Sequence, residues 1–94
     1  MIGERIRELR EENNILLRQL AARLEMDTAM LSKMERGERF FRKEDIFLLA
    51  EIFKKPEEEL LTLWLADKIL KTIQDEPFKH QAVALALKVL KTHK

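Results

Sequence analysis

Apolar positions along the chain recur three and four residues apart, and no stretch alternates in the manner of a half-buried strand, so the pattern predicts an all-α protein. Ile2, Ile6 and Leu9 fall at i, i+4 and i+7, with Arg5, Arg7, Glu8 and Glu11 on the other side, which describes one amphipathic helix. Asn13 and Asn14 should end it. Asparagine tolerates the left-handed conformation that closes a helix, and Asn14 is the expected cap. A second helix is expected from Leu17 to Leu24 with Leu20, Ala21 and Leu24 inward, the small Ala21 letting a third helix cross closely. Asp27 is a good N-cap for that third helix, since its carboxylate accepts from free amides at the positive end of the helix dipole. Leu31 and Met34 face inward from it, Thr28, Ala29, Lys33 and Arg36 face outward, and Gly37 ends it. Helix four spans about Lys43 to Phe53 with Ile46, Leu49, Ala50 and Phe53 inside. Pro56 suits the first position of helix five, and Glu57, Glu58 and Glu59 complement its positive end. That helix should reach about Gln74, Pro77 breaks the chain, and helix six runs from Phe78 to about Thr92.

Composition narrows the chemistry. Apolar residues are 46% of 94, enough for one genuine core with an appendage. No apolar run is long enough to span a membrane and no secretory leader pattern opens the chain, so the expectation is a soluble, cytoplasmic protein. Cysteine is absent, which removes disulfides and thiolate metal sites. With two glycines, two histidines, one serine and no tyrosine, a phosphate-cradling loop or a hydroxyl nucleophile with its base has almost no candidates. An enzyme is not expected, nor is a cofactor. His80 and His93 have no second ligand at helical spacing and read as surface residues rather than metal ligands. The formal charge is only +1, so any nucleic-acid function must come from local placement of charge.

Such placement exists. Two short helices joined through Glu25-Met26-Asp27, with a small residue where they cross, form a helix-turn-helix whose second helix is free to enter a DNA major groove. Residues 3 to 61, in "GERIRELREENN", "LAARLEM", "LSKMERGER" and "LAEIF", resemble the phage repressor and Cro-like family of bacterial helix-turn-helix regulators, also called the xenobiotic-response-element type. The resemblance covers about two thirds of the chain. It implies a five-helix repressor-like DNA-binding domain over 1–61, a C-terminal helical extension over 62–94, and helix 27–36 as the reader. It also implies an ion pair between Arg10 on the first helix and Glu35 at the end of the third, for which a bidentate geometry would explain charges tolerated near a core.

Four positions depart from the family pattern. Leu16 and Leu17 stand where a hydroxyl cap and a phosphate-touching glutamine are usual, leaving Arg18 as the substitute contact. Glu25 occupies the turn position usually held by glycine, at a cost of about 1 kcal/mol for a positive φ. Arg42 replaces the usual serine cap of helix four and reads as trading helix stability for a phosphate contact. Sorted by task, Thr28, Ala29, Met30 and Lys33 are the candidates to reach base edges. Lys33 would donate to guanine, Thr28 would hydrogen-bond several bases, and Ala29 or Met30 would lie against a thymine methyl, although Met30 fits packing against helix two equally well. Arg18, Ser32, Arg36, Arg39, Arg42 and Lys43 are the phosphate candidates. Without the family pattern, a short polar helix of this kind would read as a solvated face.

Helix five is apolar on almost every side from Leu60 to Ala66 and continues through Ile69, Leu70 and Ile73, which exceeds what one small domain covers. Helix six is expected to pack back on it, and the remaining apolar area favours a two-fold homodimer built by residues 60 to 92, with Leu61, Trp64, Leu65, Ile69, Ile73, Leu87 and Leu90 as interface candidates. For Trp64 the core is the favoured place and a partner contact the second. The resulting expectation is a dimeric regulator, most simply a repressor or autoregulator, reading a palindromic double-stranded operator. The alternative is a protein-interaction adapter or antitoxin-like module in which the leucine-rich helices do the work.

Overall fold

The computed structural model describes residues 1–93, and among these it contains six helices and no strand. They are α1 (Ile2–Glu12), α2 (Leu17–Arg23), α3 (Thr28–Glu35), α4 (Lys43–Phe53), α5 (Glu57–Ile73) and α6 (Lys79–Thr92). The apolar stripes read from the sequence meet in one core: Ile2, Ile6 and Leu9 from α1, Leu20 and Ala21 from α2, Leu31 and Met34 from α3, and Ile46, Leu49, Ala50 and Phe53 from α4 are all buried. Leu24, just past α2, and Phe41 join them, and α5 closes the assembly with Leu60 and Trp64. Phe41, in the loop before α4, has no periodic pattern to announce it, yet it is among the largest fully buried side chains. Its carbonyl accepts a 2.7 Å hydrogen bond from Trp64 Nε1, so the one indole satisfies its polar atom inside the core.

One closing device recurs at four helix ends. A residue one or two positions past α1, α2, α3 and α4 is left-handed: Asn14 (φ 54°), Glu25 (φ 55°), Gly37 (φ 79°) and Lys54 (φ 54°). In each case the next amide reaches back across the last turn, with Ile15 N to Arg10 O at 3.0 Å, Met26 N to Ala21 O at 3.0 Å, Glu38 N to Lys33 O at 2.9 Å and Lys55 N to Ala50 O at 3.0 Å. This is the Schellman closure, which satisfies carbonyls that would otherwise be orphaned. Asn14 lies one residue beyond Asn13, the last half-helical residue, and Glu25 takes the left-handed turn position that its place in the motif requires. Helix starts differ more. Asp27 caps α3 as its sequence suggests, Oδ1 accepting from Met30 N at 2.7 Å. Leu16 and Arg42 have no side-chain acceptor to offer. Instead Gln19 and Asp45, three residues on, turn back and accept the Leu16 amide at 2.8 Å and the Arg42 amide at 3.0 Å.

Gly3 is the one glycine that packing demands. A Cβ there would lie 2.5 Å from Met34 O and 2.6 Å from Glu35 O, so α1 crosses the end of α3 at backbone distance. The same crossing carries the Arg10–Glu35 pair. Two contacts tie α1 to α5 as well: Arg5 Nη2 donates to Glu59 Oε1 at 3.1 Å, and Asp67 Oδ2 accepts the Ile2 amide at 2.8 Å. Helix α5 runs without a break through the 61/62 boundary expected between domain and extension, and Trp64 and Asp67 belong to the packed body.

Helix α6 departs from expectation. It does not pack back on α5: none of its residues is buried, and it makes no substantial packing contact with another helix. At the elbow, Gln74 O accepts from Lys79 Nζ at 3.0 Å and Glu76 N donates to Ile73 O at 2.9 Å, and Pro77 separates the two helices.

Candidate nucleic-acid interface

The packing of α2 against α3 and the tie of α1 to α3 hold α3 from behind. Arg10 Nε and Nη2 donate to Glu35 Oε2 and Oε1 at 2.8 and 3.0 Å, while Nη1 donates to Ile15 O at 3.1 Å. The fork thus joins α1, the loop after it and the C-terminal end of α3. Both side chains are largely buried, and the Glu35 carboxylate, as hydrogen-bond partner, pushes the Arg10 pKa above its ordinary value against the effect of burial. Leu31, Met34 and Glu35 occupy the inner side of α3, and rotation about the helix then leaves Thr28, Ala29 and Lys33 exposed on the outer side.

The fourth base-reading candidate is placed differently. Met30 is half-buried and packed against the core, so much of its side chain faces inward. Ser32 is also half-buried, whereas Arg18, Arg36, Arg39, Arg42 and Lys43 are exposed. Among the described residues, Arg18, Lys33, Arg39 and Lys43 have no ion-pair partner.

Two of the arginines are occupied within the chain. Arg36 donates through Nη1 to Ser32 Oγ and through Nε to Glu38 Oε2, so two phosphate candidates engage one another and an acid. That hydrogen bond and the charge of Arg36 hold the Glu38 carboxyl below its ordinary pKa. Arg42, whose side chain is 71% exposed, folds onto buried Asp45, with Nη2 to Oδ1 at 3.2 Å, and the bond raises the Arg42 pKa. Arg42, expected as a phosphate contact, is thus paired within the chain while its side chain stays open to solvent. Asp45 accepts the Arg42 backbone amide and binds its guanidinium as well, while no side chain takes the place of the serine cap. Glu38 and Asp45 are the residues that sequence reasoning missed. For Asp45 the signal was present, an acid three residues into a helix whose cap lacks an acceptor; for Glu38 nothing beyond proximity to Arg36 marked it.

Of the interface candidates, Leu65, Ile69, Leu87 and Leu90 are exposed, Leu61 and Ile73 are half-buried, and Trp64 lies in the core. Lys68 Nζ sits 4.0 Å above the Trp64 ring centroid, and the indole has almost no surface left for a partner.

A short helix held from behind, polar in front, capped by Asp27 and flanked by unpaired cations defines a helix-turn-helix. A sequence profile described as helix-turn-helix matches residues 6–60, more than half of the chain, and the protein belongs to the Cro/C1-type helix-turn-helix family. No curated protein and no solved structure matches it. Membership makes it, in general terms, a DNA-binding transcription regulator. No helix among the described residues is long and apolar enough to cross a membrane.

Proposed function

We propose that the protein reads a palindromic double-stranded operator as a homodimer and acts there as a repressor or autoregulator. The observation that carries this reading is the two-sidedness of α3: Leu31, Met34 and Glu35 anchor one side, and Thr28, Ala29 and Lys33 stand free on the other. Lys33 donates to a guanine edge, Thr28 hydrogen-bonds a neighbouring base, and Ala29 lies against a thymine methyl, with Met30 contributing its exposed edge. Arg18, Arg39 and Lys43 grip phosphate directly. Arg36, with Ser32, and Arg42 do so from guanidinium groups that Glu38 and Asp45 hold in the free protein. A dimer places two reading helices about 34 Å apart on one face of the duplex.

Selection from a random DNA pool, followed by anisotropy titration of the recovered sequence at several salt concentrations, tests the reading. A palindrome and a steep negative log-log slope are expected, the slope falling by about one unit in Arg39→Ala. Recovery of no preferred sequence, with binding insensitive to salt, would refute it. The exposed apolar residues of α5 and α6 favour a second reading, an adapter or antitoxin-like module that works through those helices. Under that reading, substitutions at Leu87 or Leu90 abolish function while Lys33→Ala does not.

A further inference from the structure

We infer that the open wedge between α5 and α6 is the seat of the α6 helix of a second copy, so that two α5–α6 hairpins interlock into a four-helix bundle. The inference rests on the dimer reading above and adds its topology. Leu70 and Ile73 from α5 and Val83 from α6, with Gln74, Lys79 and His80 at the elbow, line a cavity of about 580 Å³. Its two walls make no substantial packing contact with one another.

The sequence of α6 says what kind of object fills the gap. Val83, Leu87 and Leu90 form one stripe, Leu85 and Val89 a second, and Ala82 and Ala86 lie between them. At 3.6 residues per turn the apolar arc spans roughly 200°, about twice what contact with a single neighbour requires. His80, Gln81, Lys88 and Lys91 occupy the remainder. A hairpin closed on itself would give α6 only α5 as neighbour and would cover one stripe. Two interlocked hairpins give α6 both the partner's α5 and the partner's α6. The alanines between the stripes then let the helices approach closely, and the symmetry is that of an isologous contact.

The area is sufficient. Nine large apolar side chains from Leu65 to Leu90 remain exposed. Each leaves roughly half its surface in water, which sums to the order of 900 Å², against the ≈ 800 Å² per partner of a standard stable interface. A single monomer seldom leaves that much apolar surface uncovered.

The chain has no cysteine, so introduced thiols report cleanly. Chains carrying Leu70→Cys are mixed with chains carrying Val83→Cys, re-equilibrated and mildly oxidised, and the doubly substituted chain is oxidised in parallel. Interlocking predicts that most of the mixture shifts to a disulfide-linked pair of twice the chain mass, which neither single variant forms alone to that extent. Closure of the double variant within one chain, with no linked pair from the mixture, would show that α6 folds onto its own α5 and would overturn the inference. Sedimentation of the unsubstituted protein separates the two levels. A dimer with intrachain closure removes only the topology, whereas a monomer at every concentration removes the dimer reading with it.

Discussion

Leu60 and Leu90 are both helical leucines flanked by apolar neighbours, yet the first has 0% of its surface exposed and the second 70%. Around Leu60 every apolar stripe finds another at the right angle, and charged groups such as Arg5 and Glu59 reach across to tie the helices further. Around Leu90 the stripe is as apolar and the helix as regular, but nothing meets it. Helical pattern therefore states that a face needs cover and leaves open whether its own chain provides it. The body of this molecule answers from within. The tail leaves its face uncovered, with no residue of α6 buried.

The largest contrast should appear in stability. Leu60→Ala leaves a cavity in a closed core and is expected to cost about 3–5 kcal/mol in chemical denaturation. Leu90→Ala, measured in protein dilute enough to be monomeric, should stay within about 0.5 kcal/mol, because water already surrounds that side chain. Equal losses would mean that α6 packs on the body in solution, and the comparison between the two regions would fail.

Next comes the fork that holds α3. Arg10→Met or Glu35→Leu alone strands a largely buried charge, and about 2–3 kcal/mol is expected, toward the low end because the Arg10 side chain keeps some solvent contact. The double substitution should cost less than the sum of the two. Strict additivity in the mutant cycle would show that the two groups do not act as a pair.

Much of this division was legible beforehand, and the exceptions have physical causes. Local chemistry could be read where one residue acts on its own helix: Asp27 as a cap, Gly37 as a stop, the inward stripes of α1 to α4. Lys54 could not be read as a left-handed closure, since lysine carries no such preference and the surrounding packing imposes it. Phe41 was hidden because a loop has no period, and the Asp67 bond to the α1 terminus because it joins residues far apart in the chain. The reach of α6 depends on an elbow angle that no apolar spacing encodes. Side-chain types suggested the phosphate candidates, but the pairing of Arg36 with Glu38 and of Arg42 with Asp45 is a matter of geometry.

Lys33→Ala should weaken binding to the selected operator by about 1–3 kcal/mol and relax preference at one base pair, with the salt slope little changed. A uniform loss over all sequences would instead move Lys33 to the phosphate group of contacts.

The smallest effect sharpens the comparison from the DNA side. Arg36 and Arg39 are neighbouring cations on one exposed rim, but Arg36 is held by Glu38 and Ser32 while Arg39 has no ion-pair partner among the described residues. Glu38→Gln removes the competing carboxylate, so the DNA phosphate meets a full positive charge, and the negative log-log salt slope should steepen by no more than about one unit. Acid should mimic the substitution in the native protein. Because Arg36 depresses the Glu38 pKa, the folded carboxyl keeps its charge down to a pH below the ordinary carboxylate range and releases Arg36 only as pH falls through that lowered value. Glu38→Gln should remove the share of any acid-side steepening that Glu38 contributes. If the slope flattens in Glu38→Gln, the carboxylate acts on Arg36 as an orienting partner, and its loss outweighs the relief of repulsion between Glu38 and phosphate.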